Sequence, residues 1–371
     1  MSSKKKIKVG IVVGEHSGDN LGSEIIKNLK KHNNIALYGV AGPKVISEGL
    51  DSLFDFTNLQ IMGLVDPLLN ILKLKRFQKK LTELFLKEKI DIFIGVDSPD
   101  FNNNIYKNLK KSSSIKTIQV VSPSVWGWRQ GRIKNIKKYI DLVVCLFHFE
   151  DDFFKQRSIN SIHLGHHFAK LEKNDTKSVL KKHNLDSKKE FITIMPGSRN
   201  SEIKYLLPIY LDFVKKHYKL NKNTQYLIPA ANDDQFYSIK NKLSGLNYPI
   251  KLGLNCSSEF LSISNSSVVT SGTATLESAI LECAPVICYK TNNFNYVIIS
   301  NMLKIDFVGL PNLLLGKVHF PELIQNRCTS NNILNALEEL KNVDHDKTFA
   351  NLKRGLSGLG LDDVSKEILD L

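Results

Sequence analysis

The chain has 371 residues, enough for two domains with a core each, and its 42% hydrophobic and 24% charged residues are typical of a globular protein. Its net charge of +14 is unusually high and indicates an anionic partner, which is nucleic acid, an acidic bilayer or a phosphorylated substrate. The chain is also rich in Lys, Asn and Ile, as expected of an AT-rich genome, so compositional drift is an alternative source of the charge.

Cysteine and histidine usage argues against a disulfide frame or a metal site. The five cysteines are an odd number without a CxxC pair, which indicates free thiols in a reducing compartment. The histidines of HLGHHF (163–168) lack the helical spacing of a zinc protease. We therefore expect no metal and no cofactor.

The N-terminal apolar run is short, ends at Gly14 and Glu15, and is not followed by a small-residue cleavage site. No uninterrupted apolar run reaches the length of a membrane-spanning helix. The expectation is a cytoplasmic protein, either in solution or bound to a membrane surface.

Short apolar runs alternate with amphipathic helical patterns along most of the chain. Runs of this length, flanked by Gly, Pro, Ser and Asp, are typical of buried parallel strands. The expected strands lie at 8–14, 35–42, 91–99, 115–123, 142–147, 191–198, 224–230, 250–256, 267–272 and 285–290. This alternation predicts an α/β fold with two doubly wound parallel sheets.

A polar stretch between Leu164 and Glu190 interrupts the pattern and is the best candidate for a linker. We place an N-terminal Rossmann-like domain at 1–165, a C-terminal one at 166–345 and a helical tail at 346–371, which either half could accommodate. Two open sheets in tandem form a cleft, and their ligands bind beyond the carboxyl ends of the strands. The residues directly after each strand are therefore the candidates for a site.

The first strand is followed by GEHSGDNLG (14–22), which is neither a dinucleotide-binding nor a Walker A loop. A tight strand-to-helix turn explains its glycines, whereas Glu15 and His16 at the predicted mouth of the cleft favour a functional role.

The third strand ends in GVDSPDFN (95–102), in which Asp97 and Asp100 flank a proline. An acid at a strand end can act as a base or orient a hydroxyl group. The same residues also form a good turn and helix start, so position alone leaves both explanations open.

Two basic segments could face an anionic partner. SPSVWGWRQGRIKNIKKY (122–139) contains both tryptophans, and IMGLVDPLLNILKLKRFQKKLTELFLKEK (61–89) mixes large apolar residues with lysines. Nucleic acid is disfavoured for the first segment because the chain has only seven arginines. An anionic ligand or bilayer remains, as does the ordinary alternative of a loop or core-facing helix with a solvated basic face.

In the second half, IMPGSRNSEI (194–203) joins a strand to a helix through Gly197, Ser198 and Arg199. Exposed backbone N–H groups, the helix dipole and a guanidinium group together suit a diphosphate. The alternative is that Arg199 pairs with a nearby acid such as Glu202.

A second turn of this kind is TSGTATLE (270–277), where Ser271, Gly272 and Thr273 end a strand and open a helix. Glu277 lies one helical turn after Thr273 and could accept both hydroxyls of a ribose. A capped, solvated helix is the alternative explanation.

Taken together, these stretches resemble lipid-A-disaccharide synthase, a family of bacterial GT-B glycosyltransferases. The matching motifs are GEHSGDNLG, GVAGPKVISEGL (39–50), IMGLVDPL, FIGVDSPDFN, VVSPSVWGWRQGRIKNI, LGHHF, MPGSRNSEI, SGTATLE, and FVGLPNLLLGK with PELIQ (307–325). They occur in the family's order over most of the chain, and SPSVWGWRQ and LPNLLLGK are the most specific.

The resemblance implies a GT-B fold, with two Rossmann-like doubly wound parallel-sheet domains facing a cleft. It implies an inverting transfer from UDP-2,3-diacylglucosamine to 2,3-diacylglucosamine 1-phosphate, which gives lipid A disaccharide 1-phosphate and UDP. It also implies a peripheral position on the anionic cytoplasmic face of the inner membrane. Acyl-chain length and oligomeric state are not implied.

By motif, the resemblance makes Asp97 and Arg199 the essential acid and arginine, and we expect Asp97 to be the base, with Glu15 or His16 as fallback bases. The residues expected to contact substrate are Ser17, Trp126, Arg129, Ser198, Arg199, Ser271, Gly272, Thr273, Glu277 and Asn312. The remaining alternatives are another GT-B enzyme with a different UDP-sugar and a non-catalytic nucleic-acid-binding protein.

Overall fold

The computed structural model of the chain describes residues 6–56, 59, 67–292 and 306–371, with the backbone alone for 67–71. Two compact units divide the chain. The first comprises the residues up to His166 together with Ser357–Leu371, and the second comprises His167–Leu356.

The first unit is built on a seven-stranded parallel sheet. Its strands are Ile7–Val13 (β1), Ile35–Val40 (β2), Asp51–Ser52 (β3), Ile92–Val96 (β4), Lys116–Val120 (β5), Leu142–Cys145 (β6) and Ser161–His163 (β7). They lie in the order β3-β2-β1-β4-β5-β6-β7. Its helices are His16–His32, Pro43–Ser47, Pro67–Glu88, Pro99–Ser112, Ile133–Tyr139, His148–Lys155 and Gly360–Leu369, with a 3₁₀ turn at Gln130–Arg132.

Both faces of this sheet are buried, as parallel sheets between helices require. Val9, Ile11 and Val13 of β1 belong to one apolar cluster, whereas Val12 belongs to another cluster with Phe93. The near-continuous β-branched run of β1 follows from this, because its side chains alternate between two apolar layers.

The second unit contains a six-stranded parallel sheet. Its strands are Glu190–Met195 (β8), Thr224–Ala230 (β9), Ile250–Leu254 (β10), Ser266–Thr270 (β11), Ala284–Tyr289 (β12) and Glu322–Ile324 (β13). They lie in the order β10-β9-β8-β11-β12-β13. Its helices are Thr176–His183, Asn200–Leu220, Asp233–Leu243, Ser257–Ile263, Thr273–Ile280, Leu310–Leu315, Ser330–Lys341 and Asp346–Gly355, with 3₁₀ turns at His167–Lys170 and Gln325–Arg327.

All ten predicted strands are present, and three short strands were not predicted: β3, β7 and β13. Two or three residues carry too little alternation to be recognised as a strand. The predicted strand at 91–99 ends earlier, at Val96, because Asp97 and Ser98 adopt left-handed backbone conformations.

The C-terminal tail is shared between the two units. Phe349 and Leu352 of helix Asp346–Gly355 are buried in the second unit, where Phe349 stacks on Phe320. Val364 and Ile368 of the last helix are instead buried in the core of the first unit. The boundary expected at 345/346 therefore lies at 356/357, because the apolar faces of these two helices are buried in different cores.

The segment at 61–89, expected to contact a membrane, is described only in part, since 61–66 lie outside the described residues. Leu81 and Phe85 of helix Pro67–Glu88 are fully buried, and Leu72 is 73% exposed. No helix within the described ranges combines the length and apolarity needed to cross a bilayer.

Candidate active site

A cavity of about 540 Å³ lies within the second unit, at the carboxyl ends of β8, β9, β10 and β11. Residues directly after these strands form much of its wall, namely Pro196–Arg199, Ala231, Asn255 and Ser271–Ala274. Strand β8 lies between β9 and β11, so the chain leaves β8 and β11 toward opposite sides of the sheet. This is the topological switch point, where open α/β sheets bind their ligands.

The turn after β8 presents Arg199 to this cavity, and Glu202 is its partner. The Glu202 carboxylate accepts hydrogen bonds from the backbone N–H of Ser198 (2.9 Å) and Arg199 (3.1 Å) and from Nη1 of Arg199 (3.2 Å). The ion pair that the sequence left as an alternative is thus present. The Arg199 side chain is 78% exposed, and an ion pair with so exposed a cation contributes at most about 1 kcal/mol, so its guanidinium can readily exchange partners.

The turn after β11 offers a helix N-terminus. Gly272, with φ of 150°, precedes helix Thr273–Ile280 and has no side chain to cap it, and both Gly272 and Thr273 are exposed. Ser271 directs its hydroxyl away, donating to the carbonyl of Val308 at 2.7 Å. The backbone of the turn, rather than the Ser271 side chain, is therefore available to an anion.

Glu277 lines the same cavity and accepts a hydrogen bond from Oγ of Ser257 at 3.0 Å. Burial raises the pKa of Glu277, which disfavours its charged form unless a donor is added. Asn255 was not predicted as a site residue because the strand was expected to run to 256, whereas it ends at Leu254. Ser257 was not predicted either, although it directly follows the expected end of that strand.

Asn312, expected to contact substrate, is not among the residues that line this cavity. It is fully buried, donating to the carbonyl of Phe320 and to Glu322, and accepting from the backbone N–H of His319 and Phe320. Glu322 in turn accepts from the N–H of Val308, whose carbonyl receives Ser271. Asn312 therefore supports the cavity wall from behind.

A second cavity, of about 300 Å³, lies within the first unit beyond the ends of β4 and β5. Asp97, Asp100, Trp128, Arg129 and Arg132 are among its lining residues. Burial raises the pKa of Asp97, and a hydrogen bond from the backbone N–H of Ser98 to its Oδ1 (2.9 Å) opposes the rise. A carboxyl group in this setting is suited to accept a proton.

Backbone strain is concentrated around this second cavity. The left-handed region holds Asp97 (φ 56°), Ser98 (41°), Val121 (65°) and Arg129 (49°). Such conformations cost on the order of 1–3 kcal/mol each and are typical of functional sites, and a β-branched valine there is a genuine outlier. Asn102 and Gln119 hold the turn by donating to the carbonyl of Asp97, at 3.0 Å and 3.2 Å.

The loop after β1 packs beside this turn. A Cβ added to Gly14 would lie 1.8 Å from Oγ of Ser98, and one added to Gly18 would lie 3.6 Å from Cβ of Asp97. Glu15 and Ser17 are exposed at the start of helix His16–His32, near Asp97, but they do not line the cavity itself.

The two tryptophans have different environments. Trp126 donates from Nε1 to Oε1 of Glu150 (3.2 Å) and packs edge-on against Phe149, and it does not line the cavity. Burial raises the pKa of Glu150 to about 7. Trp128 lines the cavity instead, with the Arg129 guanidinium over its ring at 4.2 Å. The substrate contact expected of Trp126 is therefore better matched by Trp128.

Comparison with protein families and relatives gives one result along nearly the whole chain. The family model for lipid-A-disaccharide synthetase matches residues 9–356. A lipid-A-disaccharide synthase of Acinetobacter baylyi is 37% identical over 359 residues, covering 93% of this chain and 91% of the relative. A lipid-A-disaccharide synthase 2 of Legionella pneumophila is 35% identical over 365 residues, covering 96% and 94%.

Solved structures share the architecture at low sequence identity. UDP-GlcNAc 2-epimerase of Neisseria meningitidis, bound to UDP-GlcNAc, matches with a TM-score of 0.60 and 13% identity and covers 99% of each chain. MurG of Acinetobacter baumannii matches with a TM-score of 0.56 and 9% identity, covering 99% of this chain and 100% of its own. The predicted fold class, two Rossmann-like parallel-sheet domains of the GT-B type, is confirmed.

Proposed function

Because this chain belongs to the lipid-A-disaccharide synthase family, and is thus a UDP-sugar glycosyltransferase of lipid A synthesis, we propose that it joins UDP-2,3-diacylglucosamine to 2,3-diacylglucosamine 1-phosphate. The products are lipid A disaccharide 1-phosphate and UDP, with inversion at the anomeric carbon. The enzyme works peripherally on the cytoplasmic face of the inner membrane, where both acylated substrates reside.

One observation carries the proposal: two turns of phosphate-binding type lie on the neighbouring strands β8 and β11 and line one cavity. Arg199 on the first turn and the N-terminus of helix Thr273–Ile280 on the second suit the UDP diphosphate. Glu277, one turn into that helix, suits the ribose hydroxyls. The fold relative solved with UDP-GlcNAc, a UDP-linked amino sugar, agrees with this use of the cavity.

The acceptor belongs to the cavity of the first unit in this proposal. Its 6-hydroxyl oxygen attacks the anomeric carbon of the donor while the bond to the UDP oxygen breaks. The hydroxyl proton passes to Asp97, and UDP leaves with the bonding electron pair. The raised pKa of Asp97 brings its proton affinity closer to that needed by a general base.

The Arg199 guanidinium and the two helix N-termini stabilise the charge that develops on the leaving diphosphate. Fixed donors of this kind act most strongly where charge appears in the transition state. The Arg199 guanidinium leaves Glu202 when the diphosphate binds, at a small cost because the arginine side chain is 78% exposed.

The test measures UDP release by purified protein with both acylated substrates and with each substrate alone. We expect UDP only when donor and acceptor are both present. Release with unacylated UDP-N-acetylglucosamine at an equal rate would favour the alternative of a different GT-B enzyme. Absence of release, together with a mobility shift of random DNA at physiological salt, would favour the nucleic-acid-binding alternative.

A further inference from the structure

Two arginines and an aspartate form a cluster at the wall of the first unit's cavity. Asp100 receives one guanidinium on each carboxylate oxygen, with Arg132 close to Oδ1 and Nη1 of Arg129 at 3.4 Å from Oδ2. All three residues line the cavity that also contains Asp97. The two guanidinium groups thus converge on a single anion, here supplied by the chain itself.

The arrangement favours an exchangeable anion over a permanent structural pair. The Asp100 side chain is 69% exposed, so it gains little from the pairing, whereas the Arg132 side chain is 29% exposed and better fixed. Arg129 is held in a left-handed backbone conformation with its guanidinium over Trp128, which orients its donors. A strained backbone and an aromatic ring that together orient a cation are typical of a binding site.

We propose that Arg129 and Arg132 form a phosphomonoester site that takes the 1-phosphate of the sugar acceptor, with Asp100 as the anion displaced on binding. A phosphomonoester carries a charge of about −1.5 to −2 at neutral pH and matches two guanidinium groups better than one carboxylate does. This inference depends on the proposed function only for the identity of the acceptor.

The site also explains how the acceptor would be oriented. A sugar phosphate held at the arginine pair would lie in the same cavity as Asp97, the proposed base. The cavity of about 300 Å³ is at the small end for ligand pockets, which suits one sugar phosphate. Recognition of the phosphate would then select the acceptor and also orient its 6-hydroxyl group for the reaction.

Direct binding tests the site without turnover. We expect glucosamine 1-phosphate and inorganic phosphate, measured by calorimetry on the full chain, to bind about 10-fold to 100-fold more weakly to Arg132→Gln, the loss of one charge-assisted contact. Asp100→Asn should bind up to about fivefold more tightly, because the competing carboxylate is removed. Arg157→Gln is the matched control, a half-buried arginine of the same unit that stacks on Phe153 and does not line the cavity.

Turnover supplies a second readout. We expect the wild type to prefer the acceptor with its 1-phosphate over the same sugar without it, and Arg132→Gln to lose most of that preference through the acceptor KM, with the donor KM unchanged. Equal binding of glucosamine 1-phosphate to the wild type and Arg132→Gln would overturn the site. If Arg132→Gln weakened only the binding of anionic vesicles, the arginines would be assigned to lipid headgroups and the phosphomonoester site would also be overturned.

The two proposals can fail separately. Arginine-dependent binding of glucosamine 1-phosphate without UDP release would keep the phosphomonoester site and reject the proposed reaction. UDP release at the same rate with and without the acceptor's 1-phosphate would keep the proposed reaction and reject the phosphomonoester site.

Discussion

At the residue scale, the two cavities share one feature: a carboxylate of the chain accepts hydrogen bonds from groups that could also bind an anionic substrate. Glu202 binds two backbone N–H groups and the guanidinium of Arg199, and Asp100 binds two guanidinium groups in the other unit. In both places the donors are already oriented before any ligand arrives, which lowers the cost of ordering them. Both carboxylates are weak competitors because one partner of each pair is largely exposed.

Arg199→Ala should lower kcat by about 10²–10³-fold, because a charge-assisted contact to the leaving diphosphate is lost. Steady-state UDP release measures the effect. Arg327→Ala, in the second unit but outside the lining of its cavity, is the control and should keep wild-type turnover. A kcat for Arg199→Ala within about a factor of two of the wild-type value would show that Arg199 does not stabilise the transition state.

The pH profile tests Asp97. Burial raises its pKa above the ordinary value of 3.8, so its carboxylate is protonated, and unable to act as a base, up to a higher pH than usual. We expect kcat/KM to fall as the pH drops through this raised pKa. Asp97→Asn should lose nearly all turnover, and the activity that remains should lack this acid limb. The base role is refuted if the variant keeps near-normal kcat.

At the element scale, the geometry of the first unit's site depends on how closely the loop after β1 approaches the turn after β4. Gly14 leaves no room for a side chain against Ser98, and Ser98 belongs to the left-handed turn that carries Asp97. These strands are sheet neighbours at the switch point, so the two loops meet by topology. The loop therefore fixes the position of the carboxyl group.

Gly14→Ala should lower kcat by about 10²-fold, because the added methyl group displaces the turn and misplaces Asp97 on the ångström scale. The double variant Gly14→Ala/Ser98→Gly should recover much of the loss, since the hydroxymethyl group in conflict is removed and glycine tolerates the φ of 41°. Gly355→Ala, where an added Cβ meets nothing within 4 Å, is the matched control. Failure of the double variant to recover would show that Gly14 acts in some other way.

At the scale of the whole molecule, the charge of +14 and the division into two units matter most. Attraction to an anionic surface is screened by salt over about 10 Å at 0.1 M, so a charge-driven membrane contact is sensitive to ionic strength. The chain returns to the first unit at Ser357, and Val364 and Ile368 complete that unit's core. The core of the first unit is thus complete only with the helix that follows Ser357.

Membrane docking through 61–89 remains a prediction. The protein should bind vesicles containing phosphatidylglycerol, release them at high salt, and lose binding when Leu68, Leu69 and Leu72 become serine. Co-sedimentation measures this, and Leu220→Ser is the matched control, an exposed leucine (80%) of the second unit. Unchanged binding of the triple variant would count against docking by this segment.

The two parallel sheets are predictable from local pattern, because apolar runs of strand length are buried on both faces when helices cover the sheet. The sequence by itself also placed candidate site residues at strand ends, since Asp97 and Arg199 lie just beyond apolar runs. Both are local patterns, readable without knowing which strands are neighbours.

Which of those residues share a cavity depends on the three-dimensional fold. Trp126 and Trp128 are two positions apart in the chain, yet one is bound to Glu150 and the other faces the cavity. Asn312 is buried and donates a hydrogen bond to Glu322, and Arg132 and Arg129 both pair with Asp100. Side-chain direction in a turn depends on the φ of each residue and on partners distant in sequence, which no local spacing encodes.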